Sequence, residues 1–289
     1  MPKNMEVNQK LKIGMVANTV FAGFEIVIGL FSGSLVLVSD AAHNLTDSLS
    51  ILIAFVGQKI ARRPPTEKHT FGYGKATILS ALINSLILIA MAGYIFYASY
   101  EKILHPQPVK GGLIMLVAGV GILVNSGVAA MFLKYRNDLN MRGVFLNMAF
   151  DAIVSVGAVV AGFIILLTGK SIADPIISIA IGVMLVYGSV QIINQAIHIL
   201  LEGVPEDIDV KNVEKIILQT PGVKSAHDLH IWSIASQKPA LNCHIIPVYF
   251  DLQKNVEIIK QIKENLKNKY QFSHITIEVE LEPCPQHEH

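Results

Sequence analysis

Six stretches of this chain are too long and too apolar to fold in water. They lie near residues 11–31, 36–60, 77–104, 112–134, 141–167 and 174–202. Each offers the roughly 20 residues a helix needs to cross a bilayer. Hydrocarbon supplies no hydrogen-bond partners, so each must satisfy its backbone internally, as a helix. Breaks fall at Ser32-Gly33-Ser34, Arg62-Arg63-Pro64-Pro65, His105-Pro106-Gln107-Pro108, Tyr135–Asp138 and Thr168-Gly169-Lys170. Only 16% of the residues are charged, against about 25% in soluble domains. A net charge of +1 gives no reason to expect a nucleic-acid partner.

Orientation follows from the basic residues. Eleven Lys and Arg fall on one side of the expected spans (from Lys3 through Lys59, Arg62 and Lys75 to Arg142), and only Lys102, Lys110 and Lys170 on the other. With an even number of spans, both termini are expected in the cytoplasm of a cell whose inner membrane holds the protein. The N-terminus has no small-residue cleavage site and reads as a tail before a permanent span. Two cysteines, Cys243 and Cys284, are too few for a disulfide framework and fit a reducing compartment.

The texture changes after Val204-Pro205-Glu206-Asp207. Asp209–Thr220 has the periodicity of an amphipathic helix, Lys224–Ala235 and Ala240–Tyr249 alternate like strands, Asn255–Tyr270 is a second amphipathic helix and His274–Leu281 a third strand. The order α-β-β-α-β predicts a small α+β domain. The expected division is 1–202 for the six-helix transmembrane domain, 203–282 for the cytoplasmic α+β domain and 283–289 for a Cys/His tail.

Within the apolar segments a few polar residues stand out. His43 and Asp47 are four apart, as are Asn147 and Asp151, so each pair shares one helix face. Asp40 lies one turn before His43 on the same face. An ionisable group at the centre of a span costs about 2.5–3.5 kcal/mol on insertion scales and marks a functional site by default. If the second and fifth helices pack, an imidazole nitrogen, two carboxylates and an amide oxygen converge as a tetrahedral N/O set suited to a divalent metal. Glu25, Asn18, Asn84, Asn125 and Asn194 are expected to stabilise helix contacts instead.

The resemblance to a known family rests on four motifs: GSLVLVSDAAHNLTDS at the second span, HTFGYGKATILSALIN at the third, N-x-x-x-D on the fifth and DLHIWSI beyond the sixth. Over essentially its whole length the chain resembles the zinc-exporting branch of the cation diffusion facilitators. That resemblance implies a homodimer that exchanges cytoplasmic Zn²⁺ for protons by alternating access, with a metallochaperone-like cytoplasmic domain. It implies a transport site of His43, Asp47, Asn147 and Asp151, with Asp40 behind it. It also implies a cytoplasmic metal site of His230, His244 and Glu280; His274 near the third strand's start is a further candidate by position, and Cys284 belongs to a Cys/His tail of the kind that scavenges a soft metal. Lys75 and Glu202 match positions that form a charge interlock near the dimer interface. In the loop after the second span the family's metal site is reduced to His69, because Thr66 and Tyr73 stand where some members have Asp and His. The fifth span usually carries His where this chain has Asn147. A neutral amide is a harder ligand that takes up no proton, so Mn²⁺, Fe²⁺, Co²⁺ and Cd²⁺ stay open as cargo beside Zn²⁺.

Rival readings are a non-transporting membrane metal sensor and an intramembrane metal enzyme. The second would need a general base, and no H-E-x-x-H occurs. The role of His227 is left open, and His287 and His289 belong to the tail. No nucleotide-binding G-x-x-x-x-G-K-[ST] is present, so any transport is secondary.

Overall fold

The computed structural model describes residues 2–32, 35–105, 111–135, 137–168, 172–236, 238–249 and 251–282. Some helical side chains, among them those of Glu25, Asp40, His43 and Asp47, lie outside the described residues. The chain divides into two compact units, Met1–Ala196 and Ile197–His289.

Six long helices account for the first unit: α1 (Pro2–Ser32), α2 (Leu35–Ala61), α3 (Ala76–Leu104), α4 (Gly111–Phe132), α5 (Leu139–Thr168) and α6 (Ala173–Leu200), which runs on into the second. They overlay the six expected segments, except that α1 starts about nine residues earlier. Among the described residues, Ala76–Leu104, Met115–Tyr135 and Ser178–Leu200 are long and apolar enough to cross a membrane by composition alone. Large apolar side chains such as Val20, Leu86, Leu123, Leu166 and Tyr187 are exposed, which suits a lipid solvent and not water. Beside its large apolar side chains the interior holds small and polar residues such as Ala22, Ala81, Asn18, Ser80 and Ser85, which let helices associate in lipid. Gly57 of α2 meets Ser80 of α3 so closely that a β-carbon there would overlap the serine hydroxyl.

One apolar cluster joins α1, α2, α4 and α5 through Leu11, Ile51, Ala54, Val128, Phe132, Met141, Val144 and Met148. Asp138 begins α5: its carboxylate accepts a hydrogen bond from Met141 N at 3.1 Å, and burial pushes its carboxyl above the usual carboxylate range. Arg142 Nη1 donates to Gln195 Oε1 at 2.9 Å and ties α5 to α6.

The second unit has the order α7 (Val210–Leu218), β1 (Val223–Ala235), β2 (Lys238–Pro247), α8 (Leu252–Tyr270) and β3 (His274–Val279). The α-β-β-α-β order expected from the sequence is the order found. The central strand β2 pairs antiparallel with β1 and parallel with β3. Both helices begin on an aspartate: Asp209 accepts from Lys211 N and Asn212 N, and Asp251 from Lys254 N. Such caps satisfy amides that a helix start leaves unbonded. α8 starts at Leu252, three residues before the expected Asn255, with Asp251 as its cap. The core packs Val213 and Ile217 of α7 and Ile258, Ile262 and Leu266 of α8 against Ile231, Leu241, Cys243 and Ile245 of the sheet. Alternation along β2 sends Leu241, Cys243 and Ile245 into this core. Asn242 and His244 therefore face the other side.

Candidate metal centres

On α5, Asn147 and Asp151 are both buried, at 1% and 4% exposure, and Asn147 Nδ2 donates to Asp151 Oδ2 at 3.4 Å. The side chains of Asp40, His43 and Asp47 lie outside the described residues, but the helix that carries them is described and packs against α5. Its register is pinned by Asn140 Nδ2, which donates to the carbonyl of Ala54 at 2.9 Å. Successive membrane crossings alternate in direction, so the second and fifth helices run antiparallel. Asp47 is seven residues before Ala54 and Asn147 seven after Asn140, so each lies about 10.5 Å along its helix in the same direction. His43 and Asp151 are eleven residues from the same pair, about 16.5 Å. Seven and eleven residues each return to nearly the same helix face. By backbone count alone, positions 47 and 147 fall level along the two helices, and positions 43 and 151 fall level one turn further on. On α2, Asn44 and Ser48 are buried beside them, and Ser48 Oγ accepts from Thr19 Oγ1 of α1 at 3.2 Å.

The other polar candidates divide. Asn18, Asn84 and Asn125 are buried. Asn194 is exposed within the single chain. Asn18 Nδ2 reaches Met148 Sδ at 3.4 Å.

In the second unit three side chains converge on the sheet face away from the helices. His227, His244 and Glu280 each bring a ligand atom within 4.8 Å of the others, and all three are half-buried. His227 Nε2 lies 2.8 Å from Glu280 Oε2. His244 Nδ1 lies 3.1 Å from Glu280 Oε1, an ion-pair separation without hydrogen-bond alignment. The two imidazoles meet edge to face with centroids 5.4 Å apart. On its other side His244 Nε2 has Asp228 Oδ2 at 3.5 Å and Glu278 Oε2 at 3.6 Å. Two imidazoles and a carboxylate are a donor set a zinc-like ion accepts, and their atoms need only modest movement to reach ligand distances of about 2.0–2.2 Å.

His227 stands here in place of the expected His230, and the cause is a bulge. The β1–β2 register shifts between His227 and His230, and Asp228 between them has φ +50°. His227 is thereby directly opposite His244, whereas His230 pairs with Asn242 and turns outward to Asp228 Oδ1 at 2.9 Å. The signal was present in the sequence as the His-Asp dipeptide, since Asp is among the few residues that tolerate a left-handed backbone. His274 is exposed, with its Nε2 at 3.3 Å from the Thr276 hydroxyl. Cys284, His287 and His289 lie outside the described residues. Cys243 is fully buried on the helix-covered face, where desolvation pushes its thiol up to about 12.

The loop after α2 brings Thr66, His69 and Tyr73 together. Thr66 and His69 form a two-residue bridge, the Thr66 hydroxyl is 3.4 Å from the Tyr73 hydroxyl, and the His69 ring packs on Tyr73 with centroids 4.5 Å apart. Lys75 precedes α3, and Glu202 follows α6 with φ +59°.

A helical membrane unit with buried ligand-capable side chains, followed by a small α+β unit with a His/His/Glu cluster, defines a metal-handling membrane protein. Comparison with known proteins narrows the class. Residues 11–201 match the cation efflux transmembrane domain and residues 205–282 the cation efflux protein cytoplasmic domain. The chain is 37% identical over 281 residues to the metal cation efflux system protein CzcD of Cupriavidus metallidurans, covering 96% of this chain and 88% of that protein. It is 34% identical to a cadmium, cobalt and zinc/H(+)-K(+) antiporter of Bacillus subtilis (96% and 91% covered) and to the zinc transporter ZitB of Escherichia coli (92% and 86%). A solved metal-bound C-terminal domain of the Cupriavidus CzcD transporter is 42% identical over 26% of this chain and all of that one, with a TM-score of 0.24. The chain belongs to the cation efflux family of metal transporters, the cation diffusion facilitators.

Proposed function

We propose that the protein exports Zn²⁺ from the cytoplasm in exchange for protons, as a homodimer in the inner membrane with both termini inside. Residues 1–202 form the transport domain, 203–282 the cytoplasmic domain and 283–289 a tail. His43, Asp47, Asn147 and Asp151 bind the ion in transit, with Asp40 behind them. The observation that carries this reading is the α2–α5 register fixed by Asn140 and Ala54. Carboxylates and imidazole must shed protons to bind a metal, so metal and proton compete for one site. A site that opens alternately to the two sides then exchanges one for the other. The names of the relatives, which include zinc, cadmium and cobalt transporters, support a divalent transition metal as cargo. The basic-residue bias supports the orientation.

In the second unit, His227, His244 and Glu280 hold a regulatory metal. A divalent ion there takes the place of the His227–Glu280 hydrogen bond and draws β1, β2 and the end of β3 together. The pairing of Lys75 with Glu202 rests on the family resemblance alone.

A second reading is favoured by one observation: Asn147 supplies an amide where an imidazole is usual. Harder ions such as Mn²⁺ or Fe²⁺, or a Co²⁺ or Cd²⁺ range, are its expected consequence. Purified protein in vesicles with a proton gradient, offered Zn²⁺, Cd²⁺, Co²⁺, Mn²⁺ and Fe²⁺ in turn, tests both readings. Zn²⁺ uptake coupled to proton release supports the first. Metal binding without flux for every ion would leave a sensor and overturn it.

A further inference from the structure

Asn84 of α3 is 2% exposed, and neither its amide nitrogen nor its oxygen bonds any described residue. The hydroxyl of its neighbour Ser85, fully buried, is likewise unbonded. A buried amide with no partner is costly and calls for an explanation. The helix-contact role expected of Asn84 does not supply one. Asn140, by contrast, is the interhelical pin, with its bond to Ala54.

Its surroundings suggest what the amide is for. A β-carbon placed on Gly143 of α5 would lie 3.4 Å from Asn84 Nδ2, so the amide sits over bare α5 backbone. Gly143, Asn147 and Asp151 follow one another at i, i+4 and i+8 and share a face. Asn84 therefore lies one turn, about 6 Å, before Asn147 on the path along α5. One turn back on α3, Ser80 is pressed against Gly57 of α2. Asn84 thus occupies the wedge where α2, α3 and α5 meet, on the side of the proposed transport site nearer the start of α5.

We propose that Asn84 is a metal-handling residue on the entry path: its carboxamide holds the incoming divalent cation, through its oxygen or through the ion's water, before the ion reaches Asn147 and Asp151. An amide suits this task because it coordinates through oxygen and donates to water, yet carries no charge that would trap the ion. Conduction requires sites favourable enough to enter and weak enough to leave. The inference rests on the reading of Asp47, Asn147 and Asp151 as the transport site.

The test uses full-length protein in vesicles with Zn²⁺ as probe. Asn84→Leu keeps the size and removes the polar atoms; Asn84→Asp adds a charge. For Asn84→Leu the initial rate at low Zn²⁺ should fall about tenfold, with equilibrium Zn²⁺ binding and the thermal midpoint held near those of the unaltered protein. Asn84→Asp should lower the KM and slow turnover, because the ion is held too well. A Leu variant with normal rates, or one whose lost transport tracks lost stability or lost equilibrium binding, overturns the assignment. So does an Asp variant with unchanged KM, which decides the matter if the Leu variant fails to fold. Asp151→Asn separates the two readings. If it transports normally, the site reading and this inference both fall. If it is dead while Asn84→Leu is normal, only the inference falls.

Discussion

Asn140 of α5 donates to the backbone carbonyl of Ala54 on α2 at 2.9 Å, and this bond fixes how far one helix has slid along the other. A slip of one turn would move position 47 about 5.4 Å from the level of Asn147. Asn140→Ala should therefore cost more in transport than in stability. Interhelical hydrogen bonds in membranes contribute about 1 kcal/mol, so the thermal midpoint should drop only modestly while Zn²⁺ flux falls severely. An Asn140→Ala protein with full flux would show that the register does not depend on this bond.

The cytoplasmic cluster makes a sharp distinction between two histidines three residues apart. His227→Ala and His244→Ala should each weaken Zn²⁺ binding by at least about tenfold, since loss even of an outer-shell partner has that effect on metal sites. His230→Ala, whose ring turns outward to Asp228, should leave affinity within about twofold, as a surface substitution away from the ligands. Chelator competition in an Asp47→Asn, Asp151→Asn background reads the cytoplasmic site alone. Equal losses for His230→Ala and His227→Ala would mean that the bulge at Asp228 rearranges on binding.

The same pair shows where the sequence was legible and where it was not. Long apolar runs and amphipathic periods placed the six membrane helices and the α-β-β-α-β unit, because burial pattern and helix length are properties of the chain itself. The i, i+4 pairs on α2 and α5 were legible for the same reason. Choosing between His227 and His230 needed the strand register, which one left-handed residue shifts by a step that alternation alone does not reveal. That Asn84 is buried against α5 without a hydrogen-bond partner among the described residues was not legible, because an asparagine that bonds across two helices and one that does not look alike in sequence. Only the atoms around it separate them.

The loop after α2 should prove indifferent to metal. Thr66, His69 and Tyr73 hold it by a bridge, a hydroxyl contact and ring packing, and of the three only the histidine is a good zinc ligand. His69→Ala should leave the number of Zn²⁺ ions bound per chain unchanged, as measured by metal analysis after desalting. Loss of one equivalent would show that the loop recruits ligands from elsewhere. Tyr73→Ala, which removes both the ring and the hydroxyl contact, should instead raise proteolysis at the loop without touching metal content.

Burial of Cys243 gives a pH prediction for the second unit. Its thiol is pushed up from 9.0 to about 12 by desolvation, so the folded state disfavours the thiolate. A thiol of ordinary pKa, about 8.5, is roughly one-quarter thiolate at pH 8, whereas one near 12 is roughly one ten-thousandth. In a Cys284→Ser variant, a thiolate-specific reagent should therefore label the folded protein orders of magnitude more slowly than the denatured one. Below the unfolded pKa both states hold the proton and the contribution is fully present. As pH rises from about 9 towards 12 the unfolded chain ionises first and stability is lost. Cys243→Ala should flatten that alkaline decline while creating a small cavity between Leu241 and Ile245. Rapid labelling of the folded variant at pH 8 would place the thiol outside the core and remove the basis of the prediction.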